Sequence, residues 1–165
     1  MTENTPPKSV QNKPAQNRRK SRELALKGIY SLLMCERDLK QTMQDLAEDA
    51  DYAHADQAYF RALIEGVMAE RTSLDAHISP MLDRSLKELS PIEHAILCIA
   101  GYELIHDSSI PYRVAINEGV ELAKRYGGTD GYKYVNGVLD KLAAEARPDE
   151  FKKSAARAKT PAKKS

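Results

Sequence analysis

Two helical apolar patterns, joined by a glycine pair, fill the stretch 111–142 and constrain the fold more than any other feature of the chain. Pro111 suits the start of the first helix, and Gly127 suits the left-handed conformation that often ends one. Thr129 is a typical N-cap for a second helix. The stretch therefore predicts two helices separated by a tight break. Their apolar residues are Val114, Ile116, Val120 and Ala123 before the glycines, and Val135, Val138, Leu139 and Leu142 after them.

The rest of the chain repeats the helical period and lacks the alternation that is typical of strands. We predict an all-α fold, a compact bundle of six or seven helices, which can divide into two helical sub-bundles that meet near residue 90. Five helices are predicted before the glycine-interrupted stretch. The first three are one from Arg18 or Ser21 to Glu36, a weak one after Asp38 and a long one over 60–78. The last two are a short one over 82–89 and one that starts at the capping box Ser90-Pro91-Ile92-Glu93.

Charge is distributed unevenly along the chain. Residues 1–22 hold six Lys/Arg against one acid, residues 147–165 hold seven against two, and residues 23–146 hold twelve against twenty-one. We expect a folded domain over 18–148, flanked by disordered basic tails at 1–17 and 149–165. An acidic body with basic ends predicts contact with a polyanion at the ends rather than over the whole surface.

Motifs for catalysis, cofactors and membrane insertion are not found in the sequence. The two cysteines have no CxxC spacing and are expected to be small buried hydrophobes. The four histidines show no metal-ligand spacing, and no phosphate-binding glycine loop or nucleophile elbow is present. No apolar run is long enough for a membrane helix, and no signal peptide is recognised. We therefore predict a cytoplasmic protein without membrane contact, enzymatic activity, cofactor or metal.

Two clusters of cations point to nucleic acid. The first, at the predicted start of the chain's first helix, opposes the helix dipole, so a phosphate backbone explains it better than helix stability does. The second is interleaved with four of the eight tyrosines, an arrangement that can hold single-stranded nucleic acid. The alternatives are a solvated basic arm and a tyrosine-rich packing seam, and composition alone favours the seam. The residues are Arg18, Arg19, Lys20 and Arg22 in the first cluster, and Tyr112, Arg113, Lys124, Arg125, Tyr126, Tyr132, Lys133 and Tyr134 in the second.

Three sequence blocks carry a family resemblance. In chain order they read NRRKSRELALKGIYS, LSPIEHAILCIAGYEL and VAINEGVELAKRYGGTDGYKYVNGVLDKL. Their order and spacing resemble the NusB family of bacterial transcription antitermination factors, over most of 18–148. The resemblance implies an all-helical RNA-binding domain without catalytic activity. It also implies binding to the boxA element of nascent RNA together with NusE, a small-subunit ribosomal protein, within the RNA polymerase antitermination complex that reads through terminators in ribosomal RNA operons.

The resemblance also assigns roles by position. RNA contacts are implied for the basic cluster Arg18, Arg19, Lys20 and Arg22 and for Asp130, Lys133 and Tyr134, and NusE contacts for Tyr30, Met34 and Glu93. The chain departs from the family at Tyr134, where phenylalanine is common, and at Cys98, where relatives carry arginine. The basic tails have no counterpart in the family pattern.

Two other functions remain open at this point. One is a protein-binding helical adaptor with its tyrosines packed inside. The other is the NusB-like RNA-binding domain of ribosomal RNA methyltransferases, whose cofactor-binding glycine motif is not found in this sequence. Self-association through the surface that would meet NusE is a further alternative.

Overall fold

A computed structural model describes residues 14–159 of the chain. Within this range the protein is all-helical, with eight α-helices and no strand, so the predicted fold class is confirmed and the predicted count of six or seven is one or two short. None of these helices is long and apolar enough to cross a membrane. The helices are α1 (Pro14–Met34), α2 (Leu39–Leu46), α3 (Gln57–Ala69), α4 (Arg71–Ile78), α5 (Pro91–His106), α6 (Tyr112–Tyr126), α7 (Gly131–Ala146) and α8 (Pro148–Lys159).

The chain forms two compact units, with the division between Ala69 and Glu70 rather than near residue 90. In the first unit α1 packs on α2 and α3. A Cβ atom on Gly28 would lie only 2.6 Å from Cδ1 of Ile64, so the glycine allows α1 and α3 to approach closely. The hydroxyl of Ser21, which is fully buried, donates to the Asp56 carbonyl at 2.6 Å and ties the start of α3 to α1.

In the second unit α5 is the central helix, in contact with α4, α6 and α7. Its residues 95–101 are all buried, as the wide apolar stripe predicts. Helices α5, α6 and α7 pack closely at Gly119, where an added Cβ atom would lie 2.9 Å from Cδ1 of Leu139 and 3.1 Å from Cβ of Ala100. Burial of this shared apolar surface is the main source of stability of the unit.

Helix boundaries differ from the predictions at three places. The helix predicted over 60–78 is two helices, because Glu70 has φ −101° and ψ 12°, outside the helical region. The helix predicted over 82–89 is only a 3₁₀ turn at Leu86–Glu88. α1 begins at Pro14, four residues before Arg18. The rest of the N-terminal tail, residues 1–13, lies outside the described residues.

The C-terminal tail predicted to be disordered contains α8 over 148–159, and residues 160–165 lie outside the described range. Tertiary contacts explain the helix. The Phe151 ring packs on Tyr112, with the ring centroids 5.7 Å apart. Glu150 Oε2 accepts a hydrogen bond from the Tyr112 N–H at 3.1 Å and so caps α6. That N–H, followed by the Arg147 guanidinium, lowers the pKa of the Glu150 carboxyl.

The break between α6 and α7 has a different basis from the one predicted. Gly127 has φ −83° and ψ 176°, so the prediction of a left-handed conformation there is wrong. Its N–H donates to the Ala123 carbonyl at 2.8 Å, and a Cβ atom would lie 2.6 Å from that same oxygen. Glycine is therefore required for close approach. The N-cap of α7 is Asp130 rather than Thr129.

Candidate nucleic-acid and partner interface

The basic cluster lies on the second and third turns of α1. Because α1 begins at Pro14, these cations are beyond the first turn, where the helix dipole acts most strongly. Their cost to the helix is thus smaller than the sequence predicted. Arg18 stacks over the Tyr59 ring, 4.3 Å from its centroid. Lys20 forms ion pairs with Glu23 at 3.4 Å and Asp51 at 3.6 Å.

Arg22 differs from its neighbours because its side chain is buried. The residue is 4 % exposed, and its guanidinium lies 5.5 Å from the Tyr59 ring centroid. It would have to leave this packing to reach a phosphate, whereas Arg19 is exposed. A phosphate contact at Arg22 stays a prediction, and the structure adds a packing role for this residue.

The first turn of α7 presents Asp130 and Lys133 to solvent. Lys133 Nζ lies 3.5 Å from Asp130 Oδ1, and both side chains are largely exposed, so this ion pair is weak and easily exchanged. Asp130 has no side-chain hydrogen bond to the backbone it caps. Its carboxylate can therefore accept a hydrogen bond from an incoming donor, and the Lys133 ammonium can meet an anion.

Tyr134 is half-buried beside these two residues, and one face of its ring is covered. The Arg84 guanidinium lies 4.2 Å from the ring centroid, close enough for a cation–π interaction. Burial, and then the nearby Asp83 carboxyl, raises the pKa of the Tyr134 phenol. Arg84, followed by the Tyr134 hydroxyl, lowers the pKa of Asp83. The predicted stacking ring thus belongs to a cluster with Asp83 and Arg84, which the sequence analysis did not find.

The other tyrosines of the second cluster lie near cations at the surface, and none of them is fully buried. Because Tyr112 also packs on Phe151, the cluster combines a basic aromatic surface with part of the tyrosine-rich packing seam. The distances from cation to ring centroid are 5.4 Å for Lys124 and 6.0 Å for Lys133 over Tyr132, 5.7 Å for Arg125 over Tyr126, and 5.9 Å for Arg113 over Tyr112.

The residues assigned to NusE contact fall in both units. Tyr30 and Met34 lie one turn apart on α1 and are 39 % and 54 % exposed, which is unusual for large apolar side chains. Glu93 is half-buried in the first turn of α5, where its N–H donates to Ser90 Oγ at 3.2 Å. Its carboxylate lies against the start of α7, since a Cβ atom on Gly131 would lie 3.4 Å from Glu93 Oε1. Glu93 thus borders the helix that carries Asp130 and Tyr134.

Three potential metal ligands meet between α4 and α5, although the sequence analysis predicted none. His94 Nε2 lies 2.7 Å from Asp75 Oδ1, and Cys98 Sγ lies 3.9 Å from the same oxygen. Burial, and then the Asp75 charge, raises the pKa of the Cys98 thiol to about 12. The four-residue spacing of His94 and Cys98 places both on one helix face, a signal that was visible in the sequence. Asp75 could not be identified without the helix packing.

Comparison with known proteins gives a consistent family. The NusB family model matches residues 19–144. Proteins named transcription antitermination protein NusB are similar: that of Methylobacillus flagellatus is 66% identical over 141 residues, covering 86% of this chain and 92% of its own. That of Thiobacillus denitrificans is 51% identical over 137 residues, covering 83% and 94%.

Solved structures agree with the sequence comparison. T. maritima NusB matches with a TM-score of 0.73 and 31% identity, covering 86% of this chain and 99% of its own. A chain from a crystal structure of antitermination factors NusB and NusE in complex with dsRNA has a TM-score of 0.67, covering 77% and 96%. Its identity is 23%, so it supports the fold alone.

Proposed function

This chain belongs to the NusB family, and from that membership we propose that it is a transcription antitermination factor that binds boxA-type single-stranded RNA together with NusE. In this role it promotes read-through by RNA polymerase in ribosomal RNA operons. Such a factor acts on nascent transcripts and therefore in the cytoplasm. The relatives named transcription antitermination protein NusB support the proposal.

The observation that carries the proposal is the surface at the first turn of α7. Tyr134 is half-buried, with Arg84 over its ring and its hydroxyl buried, and would offer only the exposed part of the ring to a base. Base–aromatic stacking typically contributes about 1–3 kcal/mol. Lys133 supplies a cation for the backbone. Asp130 would repel a phosphate, but its carboxylate can accept a hydrogen bond from a base amino or imino group. This combination suits an unpaired base better than a duplex, whose bases are stacked inside.

The basic cluster on α1 supplies the sequence-independent part of the affinity in this proposal. Arg18, Arg19 and Lys20 would contact phosphates, which fix the path of the strand but do not read its sequence. Tyr30, Met34 and Glu93 would contact NusE. The exposed apolar pair on α1 supports a protein contact, because an interface centre is enriched in aromatic residues and methionine.

Filter binding with boxA-like RNA, with and without NusE, tests the proposed function. We expect binding of the single strand, weaker binding of a scrambled strand and of a base-paired form, and tighter RNA binding when NusE is present. Because coupling between two ligands is reciprocal, RNA should raise the affinity for NusE by the same factor. NusE binding without any RNA binding would instead identify a protein-binding adaptor.

The matched variants in this assay are Tyr134→Ala and Tyr134→Phe. Alanine should weaken RNA binding by roughly 5- to 150-fold, the equivalent of about 1–3 kcal/mol, whereas phenylalanine keeps the ring and most of the affinity. A melting curve on each variant separates binding from folding. If Tyr134→Ala lowers the melting temperature and leaves the affinity of the folded protein unchanged, the ring is a packing residue and not an RNA contact.

Glu93→Gln should weaken NusE binding without unfolding α5. The cap at this position uses the backbone N–H of Glu93 and the Ser90 hydroxyl, and both remain in the variant. Affinity for NusE, measured by calorimetry, should fall while the melting temperature stays close to that of the wild type. Glu88→Gln is the matched control, because Glu88 accepts a hydrogen bond from the Ser85 N–H at 2.8 Å and has no assigned partner contact. Equal NusE affinities for both variants and the wild type would remove Glu93 from the interface.

A further inference from the structure

Asp75, His94 and Cys98 place a carboxylate, an imidazole and a thiol together in the second unit, and the proposed function uses none of them. Their potential ligand atoms all lie within 4.8 Å of one another. We propose that these three residues form a binding site for a divalent transition metal ion, with zinc as the ion whose chemistry they match.

The distances between the ligand atoms are close to those of a tetrahedral zinc site. Zinc bonds of about 2.0–2.1 Å to nitrogen or oxygen and about 2.3 Å to sulfur place neighbouring ligand atoms roughly 3.3–3.8 Å apart. The His94–Asp75 distance of 2.7 Å and the Cys98–Asp75 distance of 3.9 Å lie on either side of that range. The His94–Cys98 distance is also within 4.8 Å, so seating the ion requires the His94–Asp75 hydrogen bond to open by side-chain rotation.

The ligands are held by packed helices. His94 and Cys98 are four residues apart on α5, and Asp75 comes from α4, which packs against α5. Cys98 is 1 % exposed, whereas the His94 and Asp75 side chains are partly open to solvent. An ion can thus enter from the His94–Asp75 side, and a water molecule can occupy its fourth position there.

The donor set selects the class of metal. A thiolate and an imidazole favour zinc and its neighbours, whereas magnesium and calcium require oxygen ligands. On binding, the Cys98 thiol loses its proton to solvent and a sulfur–metal bond forms, with no change of oxidation state. The charges of Asp75 and the thiolate then balance the two charges of the ion.

Titration of the full-length protein with Co²⁺, which replaces zinc and absorbs light, tests this site. We expect a thiolate-to-cobalt charge-transfer band that saturates at about one ion per chain and disappears when Zn²⁺ is added. Cys98→Ala should abolish the band, and Cys35→Ser should keep it, since Cys35 is the exposed second cysteine. Zn²⁺ should also raise the melting temperature of the wild type and of Cys35→Ser.

His94→Gln keeps the assay decisive if the buried Cys98 substitution unfolds the protein. It should abolish or strongly weaken the cobalt band, whereas His77→Gln should not, because His77 lies near Glu145 on α7 and outside the site. A wild type without a charge-transfer band would overturn the proposal. So would a band that is lost in Cys35→Ser or fully kept in His94→Gln. In those cases Asp75 and His94 form only a hydrogen-bonded pair that joins α4 to α5.

Discussion

Replacing Arg147 by alanine is expected to lower the free energy of unfolding by roughly 1–3 kcal/mol, the cost typical of leaving buried hydrogen-bond acceptors unsatisfied. Its guanidinium donates to the carbonyls of Leu104 at 2.7 Å, Glu103 at 3.1 Å and Asp107 at 2.7 Å. These carbonyls lie at the end of α5, where no following helical turn supplies N–H donors for them. A fourth donor reaches Glu150 Oε1 at 2.6 Å. Alanine would leave the carbonyls without these bonds in a nearly closed site.

Differential scanning calorimetry should show this destabilisation as a fall in melting temperature of roughly 2–12 °C for a chain of this size. Arg147→Lys should lie between alanine and the wild type, because lysine keeps the charge but not the planar fork that reaches several acceptors. Arg157→Ala on the exposed face of α8 is the matched control and should leave the melting temperature unchanged. If the melting temperature of Arg147→Ala falls no further than that of Arg157→Ala, the hydrogen bonds of Arg147 do not stabilise the protein.

The second large effect should follow the removal of three cations from α1. In the triple variant Arg18→Ala, Arg19→Ala, Lys20→Ala, the salt dependence of RNA binding should weaken by about 2 in the log–log slope, roughly 0.7 for each phosphate that is no longer neutralised. The affinity advantage of the wild type should then shrink by roughly 20-fold between about 50 and 200 mM salt. Filter binding over that salt range measures both quantities. Arg22 is kept in this variant because its side chain is buried.

A second triple variant controls for net charge. Lys152→Ala, Lys153→Ala, Arg157→Ala removes the same number of cations from exposed positions of α8, which have no counterpart in the family pattern. We expect its slope to stay close to that of the wild type. Equal effects in both variants would show that RNA binding depends on total charge, and an unchanged slope in the α1 variant would make the basic cluster a solvated arm.

Apolar periodicity predicted the helices well where burial follows the sequence pattern. It predicted them less well where a few tertiary contacts determine whether a helix forms or where it ends. The central position of α5 could be inferred from its wide stripe. The break at Glu70 could not, since α3 and α4 keep the same period on either side of it. α8 was also missed, because its Lys- and Ala-rich composition resembles a tail, and the contacts that hold Phe151 and Glu150 involve residues about forty positions earlier.

The candidate site likewise contains features that the sequence pattern indicates and features that depend on tertiary contacts. Arg22 was grouped with the cations beside it, although Leu26 and Ile29 follow it at helical spacing and place it on the buried face of α1. That signal was in the sequence and was overlooked. The cover of Tyr134 by Arg84 carried no such signal, because the two residues are fifty positions apart and meet only through tertiary packing. A residue's neighbours in space decide whether its ring or charge is available to a ligand.

The close crossing at Gly119 bears on how the surface of α7 can change during evolution. A methyl group there would press on Cβ of Ala100, which cannot rotate away, so α5 and α6 would have to give by a few tenths of an ångström. Leu139 touches the same point from α7, five residues and roughly 7.5 Å of helix rise beyond Tyr134. Packing in the interior therefore sets the distance between Lys124 and Arg125 at the end of α6 and the Tyr134 ring on α7. Surface substitutions change one displayed group at a time, whereas a buried methyl at position 119 would act on the packing of α5, α6 and α7 at once.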